Sequence, residues 1–180
     1  MASLIGHAFT SIALGKSFSR NRRNWKLILI AIVCAIIQDI DVIGFQFGIP
    51  YNSFWGHRGF THSLFFALLL AILVTAIFYK KLFFSKKGII LILFFFLCGA
   101  FHSILDAFTD GGNGVAFFTP FNNTRYFFPW RPIKASPLGI TRFFSERGML
   151  VIRSEVTWIV LPGFIYMVIA FLIRKKRNKI

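Results

Sequence analysis

The chain has 180 residues, a length that fits one domain. Apolar residues make up 56% of it and charged residues 15%, against roughly 45–50% and about 25% in soluble domains, so a soluble globular protein is excluded, and so is a disordered one. The 21 Lys and Arg outnumber the 6 Asp and Glu, for a net charge of +15; in so apolar a chain this points to cationic loops at a membrane and not to nucleic acid.

The opening stretch ASLIGHAFTSIALG is apolar but too short to span, and it lacks the positive leading region of a signal peptide. It reads as a short half-spanning helix carrying His7. Four longer apolar stretches follow, at residues 27–45, 60–79, 88–108 and 156–173, the last with a possible kink at Pro162-Gly163. Cys34 and Cys98 lie inside these runs and read as small hydrophobes. Trp25, Trp55, Trp130 and Trp158 fall near the expected interfaces. The expected fold is an all-α membrane protein of four transmembrane helices, with the short first helix and an extracytoplasmic cap over residues 109–155.

Positive charge orients this arrangement. Residues 16–26, residues 80–87 and the tail RKKRNKI together hold 14 of the 21 basic residues, which assigns them to the cytoplasm, the C-terminus included. The chain is therefore expected in a membrane, with these basic segments on its cytoplasmic side. The cap is rich in Gly, Pro, Asn and aromatic residues, and its length favours a packed, functional segment over a structureless loop.

With this topology, Asp39 and Asp41 fall at the outer end of the first span and His57 and His62 at the outer start of the second. His102 and Asp106 fall at the outer end of the third, and Glu155 at the outer start of the fourth. His7 belongs to the same layer if the first helix runs inward. A lone His or Asp near a helix end is most often a satisfied interfacial group. All four His and at least four of the six acids at one depth are not explained that way, because each is costly in a membrane unless paired, by about 2.5–3.5 kcal/mol for an Asp.

Spacing adds to the argument. His102 and Asp106 are four apart and share a helix face, so they can bind one ion. Asp110 extends that face, although Gly111-Gly112 is expected to end the helix nearby. Asp39 and Asp41 are two apart and point different ways in a regular helix, so one is expected to be a ligand and the other a partner that orients a His. Imidazole with carboxylate and no thiolate suits zinc, iron, nickel or manganese. Zinc hydrolytic sites use such ligands and lower the pKa of water to about 7, supplying hydroxide at neutral pH. The number of candidates makes two ions as plausible as one, and paired metals suit phosphoester cleavage. Arg58, Arg131 and Arg153 stand out as phosphate contacts among the outer cations, which also include Arg125, Lys134, Arg142 and Arg147. A phospholipid or polyprenyl-phosphate substrate fits a site at headgroup depth.

The segments GHAFTS at 6–11, QDIDVI at 38–43, HRGFTHS at 57–63 and HSILDAFTDGG at 102–112 resemble the YdjM-type bacterial inner-membrane proteins, as does FPWRPI at 128–133. That family is described as LexA-regulated, membrane-bound, metal-dependent hydrolases. The resemblance implies functional roles for His7, Asp39, Asp41, His57, Arg58, His62, His102 and Asp106, with Thr61 and Thr109 in support. The family looks distantly similar to zinc-dependent phospholipase C and the S1/P1 nucleases, whose HxxxD pair His102 and Asp106 match. Those enzymes also use a later HxxxE pair, and here Val151 stands four before Glu155, so one or two metals are expected and not three.

The expected ligands are therefore His7, Asp39 or Asp41, His57, His62, His102 and Asp106, around one or two divalent ions, zinc first. Arg58 is expected to hold the phosphate, and the spare Asp or Glu155 to act as base or support, with Thr61, Thr109 and Asp110 behind the ligands. Two other readings stand beside a lipid phosphoesterase: a transporter for metal ions or protons, and a non-catalytic scaffold stapled by metal.

Overall fold

The computed structural model describes residues 1–19, 24–137 and 143–177, and the regular structure within them is helical. Helix α1 (Leu4–Phe18) starts at Ser3, whose hydroxyl accepts the Gly6 N–H and so satisfies one of the free donors at a helix start. Helix α2 (Trp25–Ile36) starts the same way at Asn24 and then tightens into a 3-10 helix, Ile37–Phe47, which stops at Gly48 with a φ of 72°. An eleven-residue 3-10 run is long for that geometry and sits where Asp39 and Asp41 lie.

Helix α3 (Leu64–Phe78) is shorter than the stretch 60–79 expected from hydropathy. Phe60–His62 form a separate 3-10 turn, and Ser63 caps the helix proper by accepting the Phe66 N–H. Fifteen residues of α-helix reach only about 22 Å. Helix α4 (Lys86–Ala107), capped by Ser85, runs through the expected third span. Residues 108–137 are irregular and contain two isolated bridges, Thr109 with Ile133 and Val115 with Tyr126. Helix α5 (Glu146–Glu155), a π turn (Val156–Val160) and α6 (Leu161–Arg177) then form one continuous rod.

That rod changes two expectations. Residues 146–155 belong to the last long helix, where the sequence reading put them in the cap. Pro162 does not break the helix, because the π turn just before it passes the Leu161 N–H to the Val156 carbonyl and absorbs the missing donor of the proline. Gly163 faces Phe9, where a Cβ would come within 2.8 Å of the ring.

Among the described residues, three helices are long and apolar enough to cross a membrane: Trp25–Phe47, Lys86–Ala107 and Glu146–Lys176. Helix α3 is apolar on all sides but shorter. The core lies between α2, α3 and α4, where Leu27, Ala31, Cys34, Ala71, Phe94, Phe95 and Cys98 are buried together. Both cysteines are free thiols there, as their apolar surroundings predict. The outward faces carry Leu73, Ile77, Ile90 and Phe164, each about half exposed or more, as a hydrocarbon environment requires.

The basic segments gather at one end. The Arg174 guanidinium donates to the Lys16 and Ser19 carbonyls at the end of α1, and Lys26 donates to the Phe78 carbonyl at the end of α3. The residues singled out by the sequence lie at the other end.

Candidate metal centre

Four elements meet at that end. Helix α1 presents His7 one turn from its start, the 3-10 helix presents Asp39 and Asp41, the turn before α3 presents His57, Arg58 and His62, and the last turns of α4 present His102 and Asp106. All of these residues are buried, at 8% exposure or less.

His62 is the hinge of the arrangement. Its Nε2 lies 3.0 Å from His102 Nε2, 3.4 Å from Asp39 Oδ1 and 3.6 Å from Asp106 Oδ2. His102 Nε2 is itself 3.5 Å from Asp39 Oδ1, so Asp39, His62, His102 and Asp106 offer ligand atoms that all lie within 4.8 Å of one another. On its other side, His62 Nδ1 is 3.1 Å from Asp41 Oδ2, and with His57 these form a second group of the same compactness. His7 stacks on the His102 ring at 3.8 Å between centroids and brings Nε2 to 3.4 Å from Asp106 Oδ1.

The two neighbouring aspartates are differently engaged. Asp41 is saturated: His57 Nδ1 lies at 2.7 Å, and the Thr61 hydroxyl and the Arg58 N–H donate to its second oxygen. Asp39 has neither oxygen in a hydrogen bond, although it is nearly as buried. The 3-10 backbone sends the two side chains to opposite sides of His62.

The donor chemistry fits a divalent cation. Both nitrogens of His7, both oxygens of Asp39, His102 Nδ1 and Asp106 Oδ2 are buried without a hydrogen bond. Each orphan of this kind costs about 1–3 kcal/mol, more when charged, and a cation ligated by imidazole and carboxylate offsets that cost. Burial pushes His57 below its ordinary pKa against the pull of Asp41, so the ring is neutral at pH 7, the form that ligates metal. For His62, burial opposes the charge, but Asp106, Asp39 and Asp41 outweigh it and hold a second proton well above the usual range. The same carboxylates attract a cation in place of that proton.

Arg58 is fully buried. Its Nε is 3.0 Å from Asp106 Oδ2, off the line of a good hydrogen bond, while its terminal nitrogens donate to the Gly111 carbonyl and the Thr109 hydroxyl. The arginine therefore turns inward to the protein, where the sequence reading aimed it at a phosphate. Its φ of 62° is a strained value for a side-chain-bearing residue. The turn around it is compact: a Cβ at Gly56 would meet the Pro50 carbonyl at 2.2 Å, and one at Gly59 the Phe54 carbonyl at 2.4 Å.

The remaining expected residues divide. Thr61 and Thr109 sit beside the cluster, Thr61 on Asp41 and Thr109 under Arg58. Both Glu155 oxygens are taken by Ser3, one by its N–H and one by its hydroxyl at 2.6 Å, and the adjacent Ala2 N–H donates to Asp106 Oδ1 at 2.7 Å. Asp110 does not reach the cluster; it binds the Ala135 N–H and the Lys134 ammonium at the exposed surface. Arg131 lies exposed over the Phe127 ring, and Arg153 is exposed on α5, so neither joins the buried group. Arg142 falls outside the described residues.

Two supporting residues escaped the sequence reading, and a third, Arg125, was read only as an outer cation. Ser103 lies with its hydroxyl 2.7 Å from the His62 carbonyl and 3.0 Å from Gln38 Oε1, while Gln38 donates to the Gly99 carbonyl. A fully buried Gln inside an apolar run was the available signal. Arg125 donates to the His57 and Tyr51 carbonyls and so holds the turn from outside.

The inner membrane protein YbcI of Escherichia coli (strain K12) is 36% identical over 167 residues, which cover 93% of this chain and 95% of that protein. No solved structure matches the chain. The family described as YdjM inner membrane protein matches residues 1–179, and this membrane-spanning chain belongs to it.

Proposed function

We propose that the protein is a metal-dependent hydrolase of the bacterial cytoplasmic membrane that cleaves a phosphoester of a phospholipid or lipid-linked phosphate. The observation that carries the reading is the convergence of Asp39, His62, His102 and Asp106, with buried polar atoms left unpaired among them, at the end of the bundle opposite the basic clusters. By the excess of Lys and Arg at that other end, the cluster faces outward and the C-terminus is cytoplasmic. Four crossings follow if α3 passes through a locally thinned bilayer.

Asp39, His62, His102 and Asp106, with His7 beside them, would hold one ion, zinc by preference; a second at Asp41, His57 and the far side of His62 would have to displace the hydrogen bonds that occupy Asp41. A divalent cation bound there would lower the pKa of water and polarise a phosphoryl oxygen. Asp41 holds His57 and His62 in register. Arg58 balances the Asp106 carboxylate and fixes its direction. Glu155 fastens Ser3, which keeps the Ala2 N–H on Asp106. Arg131 and Arg153, exposed on the outer segments, meet headgroup phosphates.

A metal staple without catalysis is the second reading, favoured by the complete burial of His62 and Asp106. A transporter is disfavoured, because the path from the cluster toward the basic end passes the apolar core of Leu27, Ala31, Cys34, Phe94 and Phe95. The test is metal analysis of purified protein together with release of phosphate or phosphorylated headgroup from phospholipid and polyprenyl-phosphate vesicles. Release that requires both metal and Asp39 supports the hydrolase. Bound metal with no release from any vesicle, and unfolding on chelation, supports the staple.

A further inference from the structure

A groove of about 710 Å³ runs along the outside of the metal centre. One wall is the start of α1, with Leu4 and Ile5, and the other is the 3-10 helix, with Ile37 and Ile40. Phe143 and Phe144 line it from the segment before α5. Its polar residues are few, and one of them is Asp39, which also belongs to the four-residue cluster.

The volume is in the range of a site for one small ligand, and the apolar lining with Asp39 as its one charged side chain suits a molecule that is greasy along its length and polar at one end. The surroundings say from where it comes. Leu4, Ile5, Ile40 and Ile43 are each about half exposed, and they sit on or beside membrane-spanning helices, so the groove opens to lipid. An apolar peptide would bring no anion to a cation held at Asp39, whereas a phosphate-headed lipid brings its polar end to the same place as its chain.

We infer that this groove binds one acyl chain of a membrane phospholipid and sets its headgroup phosphate beside Asp39. The inference deepens the proposed function and rests on it for the chemistry at Asp39, where a bound cation would attract an anionic headgroup. The chain slides in from the bilayer between α1 and the 3-10 helix. The groove thereby selects a lipid over a water-soluble phosphate, because only a molecule already in the bilayer carries an apolar tail to fill its apolar walls.

The test uses the full chain in phospholipid vesicles containing a small fraction of phosphatidylglycerol with a photoreactive diazirine along one acyl chain. After irradiation, labelled peptides are mapped by mass spectrometry, and metal content is measured on the same samples. Labelling is expected to concentrate on Leu4, Ile5, Ile37, Ile40 and Phe143 over the lipid-facing Leu73 and Ile90. Ile40→Trp and Ile5→Trp each fill the groove from an exposed position on one wall; both are expected to lower groove labelling several-fold or more and to leave Leu73 labelling unchanged. Groove labelling no stronger than that at Leu73 and Ile90 would mean ordinary surrounding lipid and would overturn the inference, as would unchanged labelling in both variants. Groove labelling in protein that binds no metal keeps the slot and removes the hydrolase reading; headgroup release without groove labelling does the reverse.

Discussion

His62 Nε2 and His102 Nε2 face each other across 3.0 Å in the buried end of the bundle, each also within 3.5 Å of Asp39 Oδ1. Two imidazole nitrogens at that distance need something positive between them, a proton or a metal ion. Their backbones belong to different elements, so the pairing is a product of the fold and not of local sequence.

His102→Ala and Asp106→Ala are each expected to reduce bound metal by at least tenfold in purified protein, read by plasma mass spectrometry. Chelation of the wild type is expected to lower its melting temperature, since the orphaned polar atoms of His7, Asp39 and His102 lose their partner. Full metal occupancy in both variants would end the proposal of a metal centre here.

Asp39 and Asp41 are expected to separate in the same assay. Asp39→Asn removes a free carboxylate facing two imidazoles and should abolish tight binding. Asp41→Asn removes a carboxylate that is already saturated by His57, Thr61 and Arg58, and should weaken affinity about 10–100-fold, as loss of an orienting partner does. Equal effects of the two changes would show that the 3-10 segment does not sort them.

Arg58→Met leaves the buried Asp106 charge without its guanidinium and is expected to destabilise the metal-free protein by about 3–5 kcal/mol, measured by denaturation in detergent. Arg58→Met combined with Asp106→Asn should be less destabilised than the sum of the single changes, because the stranded charge is gone. Strict additivity would argue that the two side chains do not balance each other.

Glu155→Gln keeps the shape but gives up the charge that accepts two bonds from Ser3. Exchange of the Ser3 and Gly6 amides with deuterium should accelerate about tenfold or more, a local loss of about 1–3 kcal/mol. Unchanged protection would mean that the first helix is docked by its apolar contacts alone.

The parts of the site that could be read in advance are those carried by one regular helix. His102 and Asp106 stand on one face of α4 because α4 is continuous through both, so a four-residue spacing kept its meaning. The order of Asp39 and Asp41 could not be read, because hydropathy does not distinguish an α-helix from the 3-10 helix that carries them. The role of Arg58 was hidden for another reason: an arginine beside two histidines offers itself to a phosphate until the fold shows it enclosed against Asp106. Residues 60–62 look as apolar as α3, and only the Ser63 cap separates them. Conversely, the polar sequence ERGMLVIRSE at 146–155 resembles a loop, yet it extends α6 past the hydrophobic stretch.

Ser3 and Glu155 meet across 152 positions of the chain. During translation, the first helix is made early and its fastening is made late, so for most of synthesis the amino-terminal turn hangs unlatched beside helices already inserted. A chain that stops short of Glu155 lacks the acceptor for the Ser3 N–H and hydroxyl, and its first helix then rests on its other contacts alone.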